Sequence, residues 1–130
     1  MTFKPSAFAV AVALILAYCT VPVFAGHGAG AMGLLLFNGG PSATMAWFGI
    51  LASVGASFLR WELASLLGPV VLAIALWSGF VDIYGEDDIL SVQGILSCLL
   101  WSVLFHLMLL ISIVRTVLFW LEQREYERQL

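Results

Sequence analysis

Apolar residues fill this chain in four long stretches, and the polar or glycine-rich interruptions between them set the predicted architecture. Stretches at 5–25, 43–59, 63–81 and 89–121 each read as a membrane helix, with 122–130 as a charged tail. A hydrocarbon core of about 30 Å needs about 20 apolar residues in helical form. The second stretch is at the lower limit for a crossing. The fourth would reach about 48 Å and is expected to tilt or to protrude into the cytoplasm. The expected fold class is an all-α integral membrane protein with four transmembrane helices in a single domain.

The interruptions sharpen this picture. The first stretch follows Lys4 and ends Val23-Phe24-Ala25 before Gly26, which resembles a signal peptide. Val23 weakens the small-x-small cleavage rule, so the stretch reads as a retained first helix. Residues 26–42 are rich in glycine at both ends and apolar from Met32 to Phe37. Such a segment does not sit comfortably in water. It lies in the interface, dips part way into the bilayer as a re-entrant loop, or packs on a partner. Gly68-Pro69 falls inside the third stretch and should bend or loosen its helix there. Asp87 or Asp88 is placed to cap the fourth helix.

Small residues mark packing faces. Ala9, Ala13 and Ala17 recur every four residues, as do Gly49, Ser53 and Ser57, and Gly94, Cys98, Ser102 and His106. Each series makes one stripe on a helix, along which a neighbouring backbone can approach closely.

Composition enters at this point. The chain of 130 residues is 62% hydrophobic and 10% charged. A soluble domain carries about 25% charged residues, so there is too little charge here to cover a water-soluble globule. The net charge of −3 is informative through its distribution. With four crossings, Lys4, Arg60, Arg115, Arg124 and Arg128 all fall on one side, and the other side holds His27 and the acids Asp82, Glu86, Asp87 and Asp88. This is the positive-inside pattern, with both termini cytoplasmic, in a membrane of the bacterial inner type. No basic cluster exists for nucleic acid.

Candidate chemistry is sparse. His106 lies about 25 Å along the fourth helix from Ile89, at membrane depth, where an ionisable side chain is a functional candidate. The plain reading is a neutral imidazole hydrogen-bonded to a neighbouring helix. The sharper one is axial ligation of a haem or chlorophyll-type pigment, and a proton relay is a third. His27 lies at a different depth, so a bis-histidine haem within one chain is not expected. His27 with the acids of the 82–88 loop could bind a divalent metal, but no paired spacing supports it. Arg115 is expected to snorkel, or to meet a lipid phosphate or a partner carboxylate. Trp101 is expected at mid-membrane, where its indole needs an acceptor, and Trp77 at the far interface. Cys19 and Cys98 read as packing residues.

No nucleophile elbow, phosphate loop or Cys-x-x-Cys is present, so an enzyme is not expected. Three functions follow. The first is a non-catalytic accessory subunit of a respiratory, photosynthetic or secretion complex, packing on other membrane subunits through Gly49, Ser53, Ser57, Gly94, Cys98, Ser102 and Arg115, with bound lipid. The second is a self-associated, holin-like pore. The third is a pigment- or haem-binding subunit using His106.

Overall fold

The computed structural model describes residues 5–25, 28–37, 40–58, 62–85 and 91–129. The chain is mostly helical. Its elements are α1 (Pro5–Cys19), a hairpin of β1 (Pro22–Ala25) and β2 (Gly28–Ala31), a 3₁₀ segment (Met32–Phe37), α2 (Pro41–Ala56), a second 3₁₀ segment (Glu62–Leu66), α3 (Leu67–Tyr84), α4 (Val92–Trp101) and α5 (Val103–Gln129).

Helix α1 stops at Cys19, well short of the expected 25, for local reasons. The Thr20 hydroxyl donates back to the Leu16 carbonyl at 2.9 Å. Pro22 then removes an amide donor and restricts Val21 to extended backbone. The segment 22–31 pairs as an antiparallel ladder with Pro22 opposite Ala31 and Ala25 opposite Gly28. The Met32 amide closes the hairpin onto the Val21 carbonyl at 2.8 Å. The expected all-α fold is corrected to this extent: a hairpin takes up the end of the first stretch and the start of the glycine-rich segment, and a 3₁₀ segment follows it. A β-carbon on Gly33 would lie 2.9 Å from the Cys19 Cβ, so this segment rests directly on the end of α1.

The remaining boundaries also shift. Helix α2 begins two residues before 43, with Pro41 in its first turn, where the missing donor costs nothing. It ends at Ala56 rather than 59, and the Ser57 hydroxyl turns back to the Val54 carbonyl at 2.6 Å. Gly68-Pro69 does not bend a helix. It opens α3, again where a proline amide would be unpaired, and a separate 3₁₀ segment precedes it. The fourth stretch is two helices rather than one, broken at Ser102, and α5 runs without interruption through the tail to Gln129.

The long helices alternate in direction. Ser42 of α2 meets Ser78 and Asp82 of α3 at one end of the bundle, and the Ser53 and Gly68 backbones touch towards the other. Ser6 of α1 meets Arg115 of α5, and the Tyr18 ring meets Phe105. Two helical stretches are long and apolar enough to cross a membrane among the described residues. They are Ala64–Tyr84, with mean hydropathy 2.0, and Val103–Gln129, with mean hydropathy 2.1. The core lies between α1, α3 and the start of α5. It contains Leu14, Tyr18, Met32, Leu72, Leu76, Phe80, Cys98 and Phe105.

Candidate functional site

One group of polar side chains inside the bundle meets around His106. The Trp77 indole Nε1 of α3 donates to His106 Nε2 at 3.2 Å. Nε2 is therefore the acceptor nitrogen of a neutral ring, and the proton resides on Nδ1. Nδ1 lies 2.9 Å from the Ser102 carbonyl and 3.1 Å from the Ser102 hydroxyl. That hydroxyl has its own acceptor, the Cys98 carbonyl at 2.6 Å. The imidazole proton thus goes to the carbonyl, with the hydroxyl oxygen as a second, weaker acceptor.

The same contacts explain the break between α4 and α5. Ser102 has φ −110° and ψ 21°, away from helical values. A serine hydroxyl bonded to the carbonyl four residues back bends a helix, and here the next imidazole also competes for the serine carbonyl. Gly94 is half-buried, Cys98 and Ser102 are buried, and His106 is half-buried, so all four stripe residues lie towards the body of the protein. The rings of Trp77 and Phe105 stand edge-on to the imidazole at 5.9 Å and 5.6 Å. Phe80 and Tyr84 extend this cluster along α3.

Chemically, the arrangement holds a neutral imidazole in one tautomer and one orientation. An iron or a pigment metal binds a histidine lone pair. The lone pair on Nε2 is the one facing the Trp77 N–H, so ligation in this geometry would displace the indole.

Sequence reasoning missed Trp77 as the partner. Its expected place near the far interface names no partner for the indole. Helix α3 continues to Tyr84, which draws Trp77 about 10 Å inside its end. Trp101, expected at mid-membrane, is 50% exposed on the outside of the bundle. The Trp47 indole reaches the Leu36 carbonyl at 2.9 Å and ties α2 to the first 3₁₀ segment.

The small-residue face of α2 is buried against α3. A β-carbon on Gly49 would lie 2.8 Å from Leu72 Cγ, and one on Gly68 would lie 2.5 Å from the Ser53 amide nitrogen. Ser57 is fully buried beside them. Arg115 donates from its guanidinium to Ser6 Oγ at 2.7 Å and lies 4.6 Å from the Phe119 ring centre. It therefore links the first and last helices.

At the opposite end, the Ser42 hydroxyl donates to the Asp82 carboxylate at 2.5 Å and accepts from the Ser78 hydroxyl at 2.9 Å. A carboxylate there also suits the positive end of α2. His27, Glu86, Asp87 and Asp88 lie outside the described residues, and the N-cap of α4 is Ser91 rather than Asp87 or Asp88, its hydroxyl accepting from the Gly94 amide at 3.0 Å. Among the described residues no three histidine, cysteine or acidic side chains are grouped to hold a metal. Cys19 and Cys98 are free thiols. No family model, curated protein or solved structure matches this chain.

Proposed function

We propose that this chain is a small, non-catalytic accessory subunit of a larger membrane complex, crossing the membrane four times with both termini in the cytoplasm. The observation that carries the reading is the bareness of α4 and α5. Every residue of α4 except Gly94 and Cys98 is exposed. In the most apolar window of α5, 17% is buried, against 39% for the helix containing α3. Leu96, Leu100, Leu104, Leu107, Leu110 and Leu118 all project from the bundle. Water cannot cover such a surface, whereas lipid and neighbouring helices can.

The alternating helix directions support the four passes. They bring Ser6, Ser53 and Arg115 to one end of the bundle and Asp82 to the other, in keeping with the positive-inside charge pattern. Helices α1 and α2, with 15 and 16 residues, are short for a full core and would cross with the apolar hairpin and 3₁₀ segments completing the span. An apolar groove lined by Met45, Phe48, Ala52, Leu67 and Val71 is suited to an acyl chain of a bound lipid.

The test is extraction from the native membrane in mild detergent, with intact mass and a visible spectrum taken from the same sample. A colourless hetero-complex containing this chain is the expected result. A homogeneous ring of this chain alone would overturn the reading in favour of a pore. A Soret or chlorophyll-type band lost in His106→Leu would replace it with pigment binding.

A further inference from the structure

We infer that a small cavity between α1, α2, α3 and α5, with hydroxyl-bearing side chains in its lining, is an internal hydration site holding one ordered water molecule. The cavity measures about 10 Å³. That is the space one water needs, and it is too small for a phosphate or a carboxylate. Its lining brings together Ser53 of α2, Ser65 of the second 3₁₀ segment, and Ser112, Arg115 and Thr116 of α5. The hydroxyls of Ser53, Ser65 and Thr116 are buried and have no hydrogen-bond partner within the protein. Ser53 is 5% exposed and Thr116 is 1% exposed.

Three hydroxyls from three separate segments thus converge, unpaired, on a space of one water. A single unpaired buried hydroxyl is uncommon in a folded protein, and three at one point call for a shared partner. Each hydroxyl can donate or accept, and a water offers two of each bond. Leaving three hydroxyls unmade is costlier than the entropy of holding one water. Ala7, Val10, Ala11 and Pro69 supply the apolar part of the lining, and the hydroxyl-bearing side chains the polar part. The site sits where the second 3₁₀ segment packs onto α5. It gives that junction a polar joint beside the Arg115–Ser6 hydrogen bond.

Two measurements on the full-length protein in detergent or lipid test this. The first is infrared spectroscopy of the unaltered protein in ordinary water and in water labelled with oxygen-18. An internal water gives an O–H stretching band that moves to lower frequency with the label, and that band is lost in the double variant Ser53→Ala, Thr116→Val. A spectrum with no such label-sensitive band in the unaltered protein overturns the proposal. The second is the thermal midpoint of Thr116→Val, which keeps the shape and removes the hydroxyl. A hydrated cavity predicts a midpoint lowered by a few degrees, because the water loses a partner. A dry cavity predicts an unchanged or raised midpoint, because an unpaired buried hydroxyl has been removed, and that result overturns the proposal. The two substitutions combined will be non-additive if both hydroxyls bind the same water, and additive if they do not.

Discussion

The apolar windows of α3 and α5 have near-equal mean hydropathy, 2.0 and 2.1, yet the α2–α3 pair and the α4–α5 arm hold themselves in different ways. Between α2 and α3 the backbones nearly touch at Ser53 and Gly68, and the Gly49 backbone approaches Leu72 closely. The pair is also clasped at its far end by Ser42, Ser78 and Asp82. The arm has no such seam. It is joined to the body through the Cys98, Ser102, Phe105 and His106 positions and through Arg115 near the other end. In a bilayer, burying apolar area gives little driving force, because lipid is as apolar as leucine. Close backbone packing and hydrogen bonds remain. The pair has both, whereas the arm buries only Cys98, Ser102, Phe105, Ser112 and Thr116 against the body, and its leucine-rich side stays free to meet something else.

The largest effect should therefore come from the seam. Gly68→Ala places a β-carbon 2.1 Å from Ser53 Oγ and 2.6 Å from the Ser53 Cα, and the backbone cannot yield without separating the helices. A loss of about 3 kcal/mol is expected, at the upper end for overpacking. Denaturant titration in detergent, following helical circular dichroism, measures it. The matched control is Gly55→Ala in the same pair. Its β-carbon meets nothing within 4 Å, so relief of glycine flexibility should add about 0.5–1 kcal/mol. Equal tolerance at both sites would erase the contrast between pair and arm.

The next effect is at the hinge of the arm. His106→Leu removes the acceptor of the Trp77 N–H and leaves that donor unpaired beside Phe80 and Phe105, at a cost of about 2 kcal/mol. Trp77→Phe in the same background should recover part of the loss, since it removes the unpaired donor. A double-mutant cycle with no coupling would mean that the indole and imidazole do not depend on each other.

How much of this was legible beforehand follows from what a one-dimensional pattern contains. Apolar runs report which segments avoid water, so the four stretches could be located, and the four-residue spacing of Gly49/Ser53 and of Cys98/Ser102/His106 showed which side of each helix was small. The end of α3 lies three residues beyond the expected 81. The rotation of α3 relative to α5 was not readable. That rotation brings Trp77 of α3 against His106 of α5. The hairpin was hidden for a different reason. Val21, Pro22 and Val23 are apolar like their neighbours, and the local competition from Thr20 and Pro22 that ends α1 leaves hydropathy unchanged. Ser6 as the partner of Arg115 lies 109 residues away in sequence and could come only from the packed bundle.

That distant contact is the third test. Ser6→Ala should cost no more than about 1 kcal/mol, because the bond is exposed and solvent or headgroups can replace the serine. The loss should show first as faster proteolysis near the start of α1, while the α2–α3 seam stays protected. Protection lost together in both places would mean that α1 is not a separately anchored element.

The smallest effect on the chain's own stability carries the most information about its surroundings. Leu110 and Leu118 are 57% and 55% exposed on α5. Truncating either to alanine opens no cavity in the bundle and changes no hydrogen bond, so the denaturation midpoint of the isolated chain should move by under about 0.5 kcal/mol. If lipid alone covers this face, the mass of the native assembly will be equally unmoved, because acyl chains close over the missing methyl groups. If a neighbouring subunit covers it, each truncation removes packing that lipid cannot reproduce with the same shape, and the intact complex will dissociate at lower detergent concentration. A substitution that leaves the isolated chain unchanged yet loosens the assembly would separate the surface that holds this protein together from the surface it offers to others.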